Sequence, residues 1–161
     1  MTLIVRPAIA SDLATIARFN TALARETEHR TLDAAVLQPG IAAVLDDPGK
    51  GRYFIAEEFG RPVGQLMVTT EWSDWRNSFF WWLQGVYVIE RARRRGVFRA
   101  LYSHVESLMN SEPDVCGIRL CVERENERAQ RTYASVGMSD SRYAVMEVDR
   151  SGAVGNDADA R

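Results

Sequence analysis

Lysine is almost missing from this chain: of 20 basic residues, only Lys50 is not an arginine. Cysteine is nearly as scarce. Cys116 and Cys121 flank Gly117 to Leu120. Without a secretory leader a disulfide is not expected, and two thiols lacking a histidine cluster do not make a zinc site. Both read as small buried residues around a strand. The two histidines add nothing metal-like: His104 lies on a predicted helix without ligand-type neighbours, and His29 sits in a polar turn. No apolar run approaches the roughly 20 residues of a membrane helix. The start, Met1-Thr2-Leu3-Ile4-Val5-Arg6, has no basic leader followed by an apolar stretch. A cytoplasmic protein with no membrane partner is expected. A basic surplus is absent as well, and the net charge of −2 speaks against a general nucleic-acid binder.

What is present fits one soluble domain. At 161 residues, with 46% hydrophobic and 26% charged residues, the chain can bury a core but not two. Thr2–Val5 alternates until Pro7 and suggests a first strand. Ser11 reads as an N-cap for Leu13, Ile16, Phe19 and Leu23 at helical spacing. Asp33 caps a second helix, which Pro39-Gly40 should interrupt before Ile41, Val44 and Leu45 resume it. Residues 53–57 and 63–70 form a hairpin around Gly60-Arg61-Pro62. Residues 79–89 are the most strand-like segment, with Gly85 suggesting a bulge. Phe98, Leu101, Val105 and Leu108 make a helical stripe. Ile118, Leu120 and Val122 alternate. Asn126 opens a short helix through Tyr133, and Tyr143, Val145 and Glu147 suggest a last strand. The order β-α-α-β-β-β-α-β-α-β is a mixed α/β layer. Residues 1–150 are expected to form a single domain, and 151–161, which lack core-forming residues, a disordered tail.

The informative junction runs from Val86 to Ala100. A strand enters a turn in which Arg91, Arg93, Arg94, Arg95 and Arg99 crowd within nine residues, then Gly96, then a helix. The first turn of a helix carries free N–H groups and a partial positive charge, a seat for phosphate oxygens. Gly96 would allow close approach, and arginines could hold a pyrophosphate. A solvated basic loop before an ordinary helix start is the alternative on these residues alone.

Arg93-x-x-Gly96-x-Phe98-x-Ala100 resembles the (Gln/Arg)-x-x-Gly-x-(Gly/Ala) acetyl-CoA loop of the GNAT (GCN5-related N-acetyltransferase) superfamily. The segment Val122-Glu123-Arg124-Glu125-Asn126, with Ala129, Tyr133, Gly137 and Met138, resembles that family's later Asn-x-x-Ala-x-x-x-Tyr stretch. The resemblance covers the chain to about Val148. It departs at Phe98, where the family usually has a second glycine or alanine.

The resemblance implies acetyl-CoA as co-substrate. Val86, Tyr87 and Val88 would lie where the central strand splays open and pair with the pantetheine arm. Arg93, Arg94, Arg95, Gly96, Val97, Phe98 and Arg99 would hold the pyrophosphate, mainly through main-chain N–H groups. Asn126 would bond the pantetheine arm, and Tyr133 would protonate the departing thiolate. Asn126 as a mere N-cap and Tyr133 as a core aromatic remain open. The implied activity is direct transfer of an acetyl group to a primary amine in a ternary complex. A non-catalytic acyl-CoA sensor on the same fold is the alternative.

Attack requires a neutral amine and hence a proton acceptor. Some family members place a glutamate on the central strand, but Trp81-Trp82-Leu83-Gln84 has none. Candidates for the base are Glu26 and Glu28 after the first helix, and Glu71 and Asp74 in the connection before the central strand. Trp72 and Trp75, with Gln84, could hold a cationic amine, or the tryptophans could cover the core or a dimer surface. The acceptor stays open between a small molecule and a peptide amine, and the aromatic surplus from Trp72 to Trp82 is compatible with a homodimer.

Overall fold

A computed structural model describes residues 2–150; the expected tail at 151–161 lies outside the described residues. Five strands form one sheet in the order β1-β2-β3-β4-β5: β1 (Leu3–Pro7), β2 (Arg52–Glu58), β3 (Arg61–Ser73), β4 (Ser78–Val88) and β5 (Val115–Leu120). The first four are antiparallel neighbours, whereas β5 runs parallel to β4. Helices α1 (Leu13–Glu28) and α2 (Ala34–Asp46) connect β1 to β2, α3 (Val97–Ser111) crosses from β4 to β5, and α4 (Glu127–Ala134) follows β5. This is the expected mixed α/β architecture.

Strand alternation distributes the core over both faces of the sheet. Along β2, Tyr53 and Ile55 pack with Ile16 of α1 and Ile41 of α2. Phe54 and Ala56 turn the other way, joining Leu66, Trp81, Leu83 and the α3 residues Val97, Leu101 and Val105. Near the chain start, Asp12 accepts hydrogen bonds from the Ile9 amide at 2.8 Å and from Arg6 at 2.8 and 3.0 Å. A short 3-10 turn at Ala10–Asp12 thus replaces the Ser11 cap. Asp33 does cap α2, accepting from the Ala35 amide at 2.8 Å.

Four expectations are corrected. Pro39 does not interrupt α2, which runs unbroken through it, although the missing N–H forgoes the bond that would reach back to Ala35. Residues 71–77 are not a connecting loop. β3 extends to Ser73 and only a tight turn separates it from Ser78, so Glu71 pairs with Phe80 and Trp72 with Phe79. Cys116 and Cys121 are exposed rather than buried: Cys116 lies on β5, the edge of the sheet among the described residues, and Cys121 follows that strand's end. The last strand is absent from the described residues: 139–150 form no regular structure. Tyr143, Val145, Met146 and Val148 are exposed there. Alternating β-formers favour extended backbone, but they supply no hydrogen-bond partner.

Candidate functional site

The β4–β5 ladder ends at Leu83↔Leu120. Beyond it, β4 continues through Gln84 to Val88 while β5 stops, so the sheet opens beside Val86, Tyr87 and Val88. On the far side of that opening, β4 leads through a 3-10 turn at Glu90–Ala92 into the arginine loop. Arg94 takes φ +63° and Gly96 φ +82°, a left-handed pair of bends that turns the chain sharply into α3. A Cβ added at Gly96 would meet nothing within 4 Å, so the space above the loop is open. The first intrahelical bond is from the Ala100 amide to the Gly96 carbonyl, 2.9 Å. The amides of Val97, Phe98 and Arg99 precede it and form the free first turn of α3.

The arginines divide their tasks. Arg93 folds back toward the opening, donating from Nε to the Val88 carbonyl at 2.9 Å and from Nη2 to Glu26. Arg95 is anchored by the buried Glu58, at 2.7 Å. Arg94 and Arg99 are exposed. The loop is therefore braced by two of its arginines and leaves two facing solvent. Glu58, the anchor, escaped notice in the sequence, although an acid closing the apolar run of β2 was a signal. Phe98 packs edge-on against Tyr133, with ring centroids 5.4 Å apart, and lies 6.0 Å from Tyr102. Its ring thus belongs to the junction of α3 with α4.

Tyr133 is half-buried, and its hydroxyl has no hydrogen-bond partner among the described residues. Burial raises its pKa above the ordinary tyrosine value, so a hydroxyl already protonated at neutral pH keeps its proton to higher pH. Asn126 caps α4: its Oδ1 accepts from the Ala129 amide at 3.1 Å, which leaves the amide nitrogen free to donate elsewhere.

Of the four acids considered, one reaches the opening. Glu26, in the last turn of α1, accepts from the Tyr87 hydroxyl at 3.1 Å and is paired with Arg93. Tyr87 packs on Phe19 with centroids 5.3 Å apart, and its pKa is raised by burial and by the neighbouring Glu26. Glu28 faces Arg30 at 3.7 Å instead. Glu71 accepts from the Trp82 indole and from Arg119 at 3.2 Å. Trp82 lies four residues before Val86, roughly 13 Å along the strand. Asp74 is in the hairpin turn, accepting from the Trp75 amide at 2.9 Å.

Glu71, Trp72, Asp74 and Trp75 line one open cavity at the end of the β3–β4 hairpin, with Phe80 and Arg119 beside them, and Gln84 lies outside it. Glu71 and Trp72 point to opposite faces of β3; Trp72 meets Phe79 at 4.8 Å, and Trp75 is 86% exposed at the hairpin tip. Gln84 donates to Thr69 at 2.7 Å on the same face as Glu71 and Trp82. Arg119, which the sequence did not flag, stacks on Phe80 at 3.6 Å. It is the partner that ties β5 to Glu71. Among the described residues, no cluster of three or more His, Cys, Asp or Glu side chains could hold a metal ion.

Comparisons with known proteins agree with this architecture. The family model for the acetyltransferase (GNAT) family matches residues 15–138. A solved structure of a possible acetyltransferase from Clostridium difficile 630 is 42% identical, superposes with a TM-score of 0.85, and covers 92% of this chain and 98% of its own. A GCN5-related N-acetyltransferase from Ralstonia eutropha JMP134 shares 22% identity, 91% and 99% coverage and a TM-score of 0.73. The ribosomal-protein-alanine N-acetyltransferase of Brucella melitensis biovar Abortus 2308 shares 13% identity, 92% and 99% coverage and a TM-score of 0.74. Both of these last two speak to the fold alone. No curated protein matches the chain. With the family model spanning most of the sequence and a close structural relative over nearly all of it, the chain belongs to the acetyltransferase (GNAT) family.

Proposed function

We propose that this acetyltransferase uses acetyl-CoA to acetylate a primary amine by direct transfer. The observation that carries the reading is a coincidence of two features. The sheet opens after Leu83–Leu120, and the same strand then delivers the chain to the free amides of Val97, Phe98 and Arg99. A pyrophosphate fits those amides and the positive end of α3, with the exposed Arg94 and Arg99 at its flanks. The pantetheine arm fits the opening, where the Val86–Val88 backbone has lost its β5 neighbour. A single domain over 1–150 is part of this reading.

Glu26 is the best-supported base. Arg93 and Tyr87 hold its carboxylate beside the opening, where it receives the amine's proton directly or through one water. The neutral amine attacks the thioester carbonyl, and the tetrahedral adduct collapses with departure of the CoA thiolate. Tyr133, whose hydroxyl is protonated at neutral pH, gives that thiolate its proton. Glu26 beside the opening favours a cationic acceptor, either a small amine or a peptide amine. A homodimer is supported by the exposed apolar run from Tyr143 to Val148.

Calorimetric titration with acetyl-CoA, together with CoA release over a panel of amines, tests the reading. Binding with turnover on at least one amine is expected. Binding without turnover on any amine indicates a sensor instead, and no binding overturns the donor.

A further inference from the structure

We infer that Gln65 is a positioning residue for acyl transfer: its side-chain amide holds the bulge of β4 at Gly85 and so fixes the opening between β4 and β5. The inference rests on the reading of that opening as the thioester site.

Gln65 lies in the apolar run of β3 and is fully buried. In the β3–β4 register Gln65 faces Tyr87 and Met67 faces Gln84. One β3 residue, Leu66, therefore opposes two on β4, Gly85 and Val86, which is a β-bulge. Gly85 takes φ +57° there, a conformation that disfavours any side chain. Only two residues earlier, Leu83 makes the last pair with β5. The bulge thus stands where β4 turns away from its neighbour.

Gln65 Nε2 donates to the Gly85 carbonyl at 3.2 Å and to Asn20 Oδ1 at 2.7 Å. Asn20 Nδ2 in turn donates to the Tyr53 hydroxyl at 3.3 Å. A backbone carbonyl can only accept, so Gly85 settles which end of the Gln65 amide is the donor, and Gln65 then settles Asn20. Gln65 Oε1 is buried with no partner among the described residues. Buried polar atoms are ordinarily paired, and a methionine would fill the same space without leaving an acceptor unpaired. Packing does not account for this amide; its two donated bonds do. Asn20 belongs to α1, the helix that carries Glu26. One short chain of hydrogen bonds therefore ties the bulge that opens the sheet to the helix that carries the base.

Gln65→Met keeps the bulk and removes the donors. Turnover with a competent amine should fall by about tenfold to a hundredfold, because misplacement by about 1 Å has that effect. Acetyl-CoA affinity should change much less than turnover, since the pyrophosphate seat on α3 is untouched. Amide hydrogen exchange should quicken at Gly85–Val88 and stay as in the parent in β2 and α3. Asn20→Ala should shift the same readouts in the same direction by less, and it decides the matter if the Met variant does not fold. Unchanged turnover, or exchange quickened evenly across the sheet, overturns the role of Gln65. If the parent protein itself never releases CoA, the site reading falls and acyl transfer with it; exchange at Gly85–Val88 then reports separately whether Gln65 holds the strand.

Discussion

Arg93 joins Glu26 to the carbonyl of Val88, so the end of α1 is fastened to the strand at the very place where the sheet has opened. The guanidinium also lies 5.7 Å from the Tyr87 ring centroid. A carboxylate held from two sides can keep one position while substrates exchange.

Glu26→Gln keeps a hydrogen-bond acceptor for Tyr87 but cannot take a proton. Its kcat should fall by about 100-fold while acetyl-CoA affinity stays near the parent's, in line with loss of a general base. Steady-state kinetics will check this, and an unchanged kcat would remove Glu26 from the chemistry.

Tyr133→Phe leaves the contact with Phe98 intact and removes only the hydroxyl. A drop in kcat of at least about tenfold with little change in KM is expected of a lost general acid. Because burial raises the pKa of Tyr133, the parent's activity should persist with rising pH until past the ordinary tyrosine value before its alkaline limb falls. Substrates with a better thiol leaving group should narrow the gap between parent and variant.

Gly96→Ala tests the phosphate seat. Nothing obstructs a Cβ there, yet φ +82° imposes a cost of about 1 to 2 kcal/mol on any L side chain. If the loop relaxes to relieve it, the α3 amides lose their aim. Acetyl-CoA binding should weaken by about tenfold, corresponding to about 1.4 kcal/mol, while dephosphorylated pantetheine analogues should be unaffected. Calorimetry on both ligands will read the difference.

Acid should loosen the β1–α1 junction. Hydrogen bonds from Arg6, aided by the Ile9 amide, hold the Asp12 carboxyl below its ordinary value against the opposing effect of burial. A folded-state pKa below the unfolded one means that the unfolded chain binds more protons, so stability rises with pH. The contribution is complete above the ordinary carboxylate value of 3.8 and drains away as pH falls through the lower folded value. Asp12→Asn should cost about 2 kcal/mol at neutral pH, the scale of hydrogen bonds to a charged group. Its melting temperature should depend less on pH in the acid range than the parent's, as thermal melts at several pH values will show.

The exposed run Tyr143–Val148 should make the protein self-associate. Sedimentation should show a dimer for the parent chain and a monomer for Met146→Asp with Val148→Asp, because charge on an apolar contact opposes its burial. A parent that sediments as a monomer would leave those side chains without the expected cover.

Much of the fold was legible because its signals are local. The stripe of Phe98, Leu101 and Val105, the cap at Asp33 and the strand-like 79–89 each depend on neighbours a few residues away. The arginine loop was legible for the same reason, being a continuous strand-turn-helix. The placement of the acids and aromatics was not. Glu26 and Glu28 differ by two residues in sequence, and only the helix places one against Tyr87 and the other against Arg30. Glu71 and Trp72 look like one cluster in the sequence; the strand turns their side chains to opposite faces, yet both border the same cavity at the hairpin end. The final strand failed because alternation states a conformation and not a partner.

Lys50 closes the turn before β2, bonded to Asp47 at 2.6 Å. Under the proposed amine acetylation this has a practical bearing: apart from an amino terminus, the sequence carries a single amine of its own, and that one is paired. Acetyl-lysine appearing when a protein acceptor is offered would belong almost entirely to the acceptor, so the catalyst should be nearly silent in its own assay.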